Sequence, residues 1–362
     1  MPELIMRDEL VFNDAREATF KRRPAVLIIG GYGKVGRHIA AHLHISDHGI
    51  RITIAGRNLK KARIAARRWG ERARSLAVDA EDLAAVELAV QGASLLVLNT
   101  ETCTDAVAQA CIQNGVSMIS VAASLSVLRS IAALDKVAQE NIVTLVKDVG
   151  LAPGLIQILA LHAIDQVAEP ELVEFFLELG LISRHSREAI AWTLARIAEA
   201  QRVINIQRPD GSVRAIPIDF IDGADMAARL GSPQVKSYFV LVPRWTAAWL
   251  LRLAPALRKH ADLVLTVSAF FSSVLSVFRL PNDQLNLHIW ATSSGTRSVV
   301  SLRGHNQSKV TGVLAAETAM AILRDGGHPG VFIMSDVLAF GSLHKLLDNL
   351  GLVFEETIRH ER

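Results

Sequence analysis

The chain has 362 residues, of which 50% are hydrophobic and 21% charged. That composition excludes a disordered, collagen-like or low-complexity protein, and at roughly 150 residues per domain it suits two or three domains. Lys and Arg number 39 against 36 Asp and Glu, with the signs interspersed, which excludes a nucleic-acid-binding arm or an acidic tail.

The first 23 residues carry Glu3, Asp8, Glu9, Asp14 and Glu17 among Arg7, Arg16 and Lys21, without the uninterrupted apolar stretch of a signal peptide. From Pro24 the pattern repeats strand, turn, helix. Ala25–Ile29 is a continuous apolar run, as in a parallel strand buried on both faces. The turn Gly30-Gly-Tyr-Gly-Lys-Val-Gly36 follows, then a helix with Ile39, Ala40 and Leu43 on one face. Ile50–Ile54 predicts a second strand, and Asn58 an N-cap for a helix Leu59–Trp69 that stops at Gly70. Strands at Ser75–Val78, Leu95–Leu98, Met118–Val121 and Ile142–Val146 alternate with helices at Asp82–Val90, Thr104–Asn114 and Val127–Gln139. Six such strands predict an α/β fold: a doubly wound Rossmann sheet over residues 1–150.

Beyond Gly150-Leu-Ala-Pro-Gly154 the rhythm changes to a second, mixed α/β domain. A helix Leu155–Val167, an apolar run Leu172–Leu179, a helix Ser186–Ala200 and a hairpin around Arg208–Ser212 are expected. Trp245–Phe278 reads as mostly helical, and its sixteen uncharged residues Leu263–Phe278 fall short of the ~18–20 that span a bilayer. That segment is expected to be a buried helix in a soluble, cytoplasmic protein. Leu285–Ala291 and Ser298–Gly304 form an antiparallel hairpin, and Val310–Arg324 a small-faced helix.

Chemistry enters at the glycine turn. Gly31-x-Gly33-x-x-Gly36 lies between an apolar strand and a helix, the context in which glycines let backbone approach a pyrophosphate at a helix N-terminus. A Gly30-x-x-Gly33-x-x-Gly36 register fits equally. The turn's Tyr32, Lys34 and Val35 are counted with it as cofactor-binding residues. At the end of the second strand, where an NAD site places a carboxylate, stands Arg57-Asn58, and no Asp or Glu lies between Gly49 and Gly70. Arg57 and Asn58 therefore predict NADP, with NADPH preferred over NADH. Asp79 is a candidate adenine contact or a helix-start residue; Asn99 and Thr100 end the fourth strand, where the nicotinamide half should lie.

These residues resemble the saccharopine dehydrogenase-like family. The resemblance rests on Ala25–Gly36, the Gly-Arg-Asn after the second strand, Ala93–Asn99, Gly115–Val121 and Gly150-Leu-Ala-Pro-Gly154. Distally it rests on Leu302-Arg-Gly, Thr311-Gly, Ala315-Ala316 and Pro329-Gly-Val331. It implies an NADP-binding domain with an inserted substrate domain, C–N bond chemistry on an amino acid or polyamine, and often a homodimer. It also implies that a helix over 309–325 returns to the cofactor domain, leaving 151–308 and 326–362 to the substrate domain. Two carboxylates of the family pattern are absent: the fifth strand ends in Ser120-Val-Ala-Ala-Ser124, and the Pro-Gly loop carries Ala152. The family's named reaction therefore does not carry over.

The remaining candidates are weaker motifs. Arg184 and Arg187 around His185 precede a helix, suiting a carboxylate-bearing substrate with His185 as proton donor, or else a solvated basic turn. Lys147 and Asp148 end the sixth strand and are either a general acid and base or an ion pair; His305 and Lys309 are similarly ambiguous. His38, His42, His44 and His48 crowd the first helix, yet two imidazoles without a carboxylate partner rarely hold a metal, so no metal is expected. The only tyrosines, Tyr32 and Tyr238, lack a lysine four residues on, which disfavours a short-chain dehydrogenase. The reading is an NADP-dependent oxidoreductase acting on a C=N or C=O carbon of a small amino-acid-like or lipophilic substrate. Its alternative is a non-catalytic NADP(H) sensor on the same scaffold.

Overall fold

A computed structural model describes residues 23–180, 203–208, 211–218, 223–231, 234–242 and 284–360. The first half runs β1 (Ala25–Ile29), α1 (Lys34–Ser46), β2 (Arg51–Gly56), α2 (Leu59–Ala66), β3 (Ala73–Ala77), α3 (Leu83–Val90), β4 (Leu95–Leu98), α4 (Thr104–Gln113), β5 (Ser117–Ser120), α5 (Leu125–Ala132), α6 (Asp135–Glu140) and β6 (Thr144–Lys147). Next come α7 (Ile156–Ile164), β7 (Leu172–Gly180), β8 (Ile204–Arg208), β9 (Gly211–Pro217), α8 (Gly223–Leu230) and β10 (Gln234–Val242). The chain closes with β11 (Gln284–Ser293), β12 (Thr296–His305), α9 (Gln307–Asp325), β13 (Gly330–Ile333), α10 (Met334–Val337), α11 (Phe340–Asn349) and β14 (Val353–His360).

The first sheet has the order β13-β6-β5-β4-β1-β2-β3, and its pairings are parallel. Every residue of β1 is buried because both faces are covered. Val26 and Ile28 pack with Ile39 and Leu43 of α1 and Leu314 and Ala315 of α9. Leu27 and Ile29 pack with Val86 of α3 and Val107 and Cys111 of α4. The Cys111 thiol, sealed in that apolar layer, has its pKa pushed up to about 12 by burial. The α/β doubly wound sheet read from the sequence is therefore present, with one addition. β13 pairs with β6 and is a seventh strand of this sheet, which corrects the assignment of all of 326–362 to the second domain.

The expected helix Val127–Gln139 is two helices, α5 and α6. The second opens at Asp135, whose Oδ1 accepts the Val331 N–H at 2.7 Å and whose Oδ2 accepts from Gln139. A carboxylate that fastens β13 to the sheet therefore fixes where α6 begins. The expected helix to Trp69 stops at Ala66 and continues as a tighter turn with Gly70 at φ +63°.

The second sheet has the order β14-β12-β11-β7-β10-β9-β8 and is mixed: β7 and β10 are parallel, while the other pairs are antiparallel. Both expected hairpins are present as β8–β9 and β11–β12. One face of this sheet, including Phe175, Leu287 and Ile289, packs on α7 residues Ile158 and Leu159, so the two sheets share one continuous core. Among the described residues no helix is long and apolar enough to cross a membrane; the segment Leu263–Phe278 lies outside them.

Helix α9 packs on α1 with no room to spare. A Cβ at Gly312 would sit 2.6 Å from the His38 Cβ and 2.9 Å from the Val35 carbonyl oxygen. Helix propensity alone would make Gly312→Ala stabilising by about 1 kcal/mol. We expect instead a destabilisation of about 1–3 kcal/mol from overpacking, seen as a lower urea midpoint at unchanged m-value.

Candidate cofactor and active site

The site starts from the backbone of the glycine turn. Gly30 leaves β1 at φ +78°, and a Cβ there would lie 2.5 Å from the Asn99 carbonyl oxygen. Glycine alone lets the ends of β1 and β4 meet so closely. Gly33 donates its N–H to the Gly30 carbonyl at 3.0 Å and is the N-cap of α1 with no side-chain cap bond. The amides of the first turn of α1 are thus left to be satisfied by something other than a capping side chain. Gly36 is where helix crosses turn, its Cβ position only 2.4 Å from the Gly30 oxygen.

A cleft of about 430 Å³ opens over this turn along the carboxyl ends of β1, β2, β4 and β5. At one end Arg57, Asp79 and Glu81 line it. Tyr32 is fixed there: its ring lies where a Gly56 Cβ would be 2.5 Å from Cε1, and its hydroxyl accepts the Asn58 N–H at 3.3 Å. Asn58 itself caps α2, its Oδ1 accepting from the Lys61 N–H at 3.0 Å. Asp79 is not a helix cap; Asp82 is, through the Ala85 N–H at 3.1 Å.

At the other end the walls come from far apart in sequence. Asn99 holds the turn by donating Nδ2–H to the Gly30 carbonyl at 3.3 Å. Thr100, Glu101 and Thr102 follow it, facing Val121–Ala123 and Val149–Pro153. Leu177 of β7 and Gln307, Ser308 and Thr311 of α9 close the far wall. The Thr311 methyl lies 3.0 Å from where a Gly150 Cβ would stand, and Gln307 Nε2 is buried without a partner.

Of the cofactor-binding residues expected from the sequence, Gly30, Tyr32, Gly33, Lys34, Val35, Arg57, Asp79, Asn99 and Thr100 line the cleft. Gly31, Gly36 and Asn58 do not; they shape it from behind, and at Gly31 a Cβ would lie 2.8 Å from the Ile28 carbonyl oxygen and 3.0 Å from Ile54 Cγ2. The catalytic candidates fare differently. Lys147 and Asp148 are not cleft residues but a buried pair 3.3 Å apart, with the Asp148 Oδ2 also accepting from Gln157. Burial pushes the Asp148 pKa up, against the pull of Lys147. Arg184, His185 and Arg187 lie outside the described residues. His42 is bonded to Glu317 at 2.6 Å and to Ser46. His38 is held below its ordinary pKa by burial and by Lys309 and Arg37.

Sequence reasoning missed Glu101 and the loop 149–153 as a cleft wall. Helix α9 was expected over Val310–Arg324, and the family resemblance placed its return at the cofactor domain; Glu101 stands in no motif at all.

A glycine turn opening a helix at the carboxyl edge of a seven-stranded parallel sheet defines a Rossmann-type dinucleotide-binding protein. Residues 26–146 match the family described as the saccharopine dehydrogenase NADP binding domain. The whole chain is similar in fold to apo saccharopine dehydrogenase (L-Glu forming) from Saccharomyces cerevisiae. That likeness has 14% identity and a TM-score of 0.65, and covers 92% of this chain and 99% of that one. A weaker likeness, at 13% identity and a TM-score of 0.43, is to dipicolinate-bound dihydrodipicolinate reductase from Paenisporosarcina sp. TG-14, covering 87% of this chain and 100% of that one. Comparison with curated proteins finds no match.

The uncapped first turn of α1 and the bare cradle at Gly33 fit a nicotinamide dinucleotide. A Cβ on Gly33 would meet only the Gly30 oxygen at 3.1 Å and Asn99 Nδ2 at 3.7 Å, and its φ of −66° suits any residue. Gly33→Ala should therefore fold with only a small backbone adjustment at Gly30, yet put a methyl where backbone must approach phosphate. Calorimetry is expected to show NADP+ affinity reduced at least ~10-fold, with at most a small loss of thermal stability.

Proposed function

We propose that this protein is an NADPH-dependent oxidoreductase that moves hydride to or from a C=N or C=O carbon of a small amino-acid-like or lipophilic substrate. The observation that carries this reading is the convergence, on one cleft, of an uncapped α1 N-terminus, Arg57 at the end of β2 and a roofed pocket beside Asn99 and Thr100. When bound, the nicotinamide supplies the hydride. The chain's own groups would do the remaining work. Amides of the first turn of α1 hold the pyrophosphate, and Arg57 grips the 2′-phosphate through its planar guanidinium. Val121, Leu151, Pro153 and Leu177 keep water from the reacting end. With this reading go the division into a cofactor domain and an inserted substrate domain, a cytoplasmic location, and the homodimer the family resemblance implies.

One observation favours a second reading, a non-catalytic NADP(H) sensor: Lys147 and Asp148 are bonded to each other behind the cleft rather than facing it. Oxidation of NADPH by any member of a panel of imines and ketones decides for the enzyme.

Cofactor choice is the sharper test. Arg57 is exposed at the cleft's edge, and the carboxylate that would repel a 2′-phosphate is missing from Gly49 to Gly70. NADPH should bind at least ~10-fold tighter than NADH, worth ~1.4 kcal/mol. Arg57→Ala should remove most of that preference while leaving NADH affinity unchanged, both read by calorimetry at one fixed salt concentration.

A further inference from the structure

The glycine turn requires nothing of position 32, because its chemistry lies in the glycines and in backbone. A tyrosine stands there all the same, and the chain makes room for it. Its ring lies against the end of β2, where a Cβ on Gly56 would be 2.5 Å from Cε1, 3.0 Å from Cζ and 3.2 Å from the hydroxyl oxygen. Only glycine at position 56 lets the ring reach the turn that carries Arg57. Backbone ties the two turns together as well, since Gly31 donates its N–H to the Ala55 carbonyl at 3.1 Å.

The Tyr32 hydroxyl is only half used. It accepts the Asn58 N–H at 3.3 Å, but a phenol also has a proton to donate, and among the described residues no protein group accepts it. That proton is at the adenosine end of the cleft, where the charged lining groups are Arg57, Asp79 and Glu81. One guanidinium there faces two carboxylates, while Lys60 and Lys61 of α2 are exposed and do not line the cleft. An anion placed at that end gains little from net charge. It needs donors aimed at it.

We infer that the Tyr32 hydroxyl donates its proton to the 2′-phosphate of the cofactor and, with Arg57, selects NADP(H) over NAD(H). The inference rests on the cofactor reading above and deepens it, adding a specificity-determining residue that belongs to the glycine turn rather than to the loop after β2. The discrimination is chemical. An ionised 2′-phosphate only accepts, and the phenol proton makes a charge-assisted bond to it, roughly twice as strong as a neutral one. The 2′-hydroxyl of NAD(H) offers a neutral acceptor, whose bond differs little from the one water makes. Tyr32 is also the better prepared of the two donors. Arg57 is exposed on a long side chain, whereas the Tyr32 ring is half-buried against Gly56 and its oxygen is bonded to Asn58, so it loses less rotamer freedom on meeting the phosphate. No covalent bond forms or breaks, and the proton stays on the tyrosine oxygen.

Tyr32→Phe is the test, because it keeps the ring on Gly56 and deletes only the O–H. NADP+, NAD+ and the adenosine-half fragments 2′,5′-ADP and 5′-AMP are titrated by calorimetry at one fixed salt concentration. The variant is expected to bind NADP+ and 2′,5′-ADP about 10-fold more weakly than the unmodified protein does. NAD+ and 5′-AMP should stay within about two-fold, and the melting temperature of the free protein should not change. A residue that merely propped the turn after β2 would weaken all four ligands alike. A second measurement leaves Tyr32 in place. Protein labelled with 3-fluorotyrosine has two reporters, Tyr32 and Tyr238, and the Tyr32 resonance is the one that survives in Tyr238→Phe. It should shift on saturation with 2′,5′-ADP and far less with 5′-AMP. Equal weakening of phosphorylated and unphosphorylated ligands, unchanged or tighter NADP+ binding by Tyr32→Phe, or equal fluorine shifts with the two fragments each overturns the assignment. A preference for NADP+ that survives loss of the hydroxyl refutes the role of Tyr32 and leaves that of Arg57 standing. An unmodified protein that binds no NADP+, or binds NAD+ equally well, refutes the cofactor reading and this one with it.

Discussion

The contact between Gly312 and the first turns of α1 is the constraint on which the rest depends. Gly312 meets Val35 and His38 at the start of α1, and five residues later Glu317 meets His42 one turn further along. Both helices therefore advance in the same direction. Two parallel helices side by side present their N-termini at the same place, and that place is the cleft: Val35 and Lys34 line it from α1, Gln307, Ser308 and Thr311 from α9. The arrangement is held by close backbone approach at one end and by a hydrogen bond to a carboxylate at the other, between residues 275 apart in sequence. It also brings β13 back to β6, because the strand follows α9 after a short glycine turn.

Parallel helix ends repel. Each N-terminus carries about half a positive charge and unsatisfied N–H groups. α9 meets part of this need itself, since Asn306 caps it through the Lys309 N–H at 3.1 Å; Gly33 gives α1 no such help. The unfilled demand for an anion is thus concentrated on α1, and the two N-termini together make the cleft's middle electropositive. His38 registers the same surplus: burial lowers its pKa first, then Lys309 from α9 and Arg37 from α1. A pyrophosphate is a ligand whose charge answers that arrangement.

The sequence was most legible where a local rule decides the outcome. A strand buried on both faces must be apolar throughout, so Ala25–Ile29 and Leu95–Leu98 could be read to the residue. The glycine turn could be read because φ +78° at Gly30 and a 2.4 Å approach at Gly36 admit nothing larger. It was least legible where a residue's role depends on chain far away. Gly330–Ile333 is too short to announce itself as a strand and becomes one only because Asp135 binds its backbone across 196 residues. Lys147 and Asp148 end a strand at the right edge of the sheet, but pattern does not say where a side chain turns after Asp148 adopts φ +57°. Glu101 carries no motif because its partners are backbone amides 22 and 23 residues on.

The buried Lys147–Asp148 pair shows why the two halves of the molecule meet where they do. Asp148 sits at the end of β6 and bonds to Gln157 in α7, the helix that carries the first core into the second sheet. Its carboxyl is raised in pKa chiefly by burial and in smaller part by the charge of Asp225 in α8, a residue whose own partner, Arg229, also binds Asp336 in α10 at 3.0 Å. Two separate sets of polar contacts thus tie the halves: Lys147–Asp148–Gln157 from β6 to α7, and Asp225–Arg229–Asp336 from α8 to α10. Breaking such a buried pair strands an uncompensated charge, at a cost of about 3–5 kcal/mol, so these groups are best suited to fix the angle between the sheets. A carboxylate that meets substrate needs the opposite environment, open to a ligand on one side. Among the described residues Glu101 lines the cleft and Asp148, bonded to Lys147 and Gln157, does not, so burial and pairing rather than position at a strand end separate the two carboxyls.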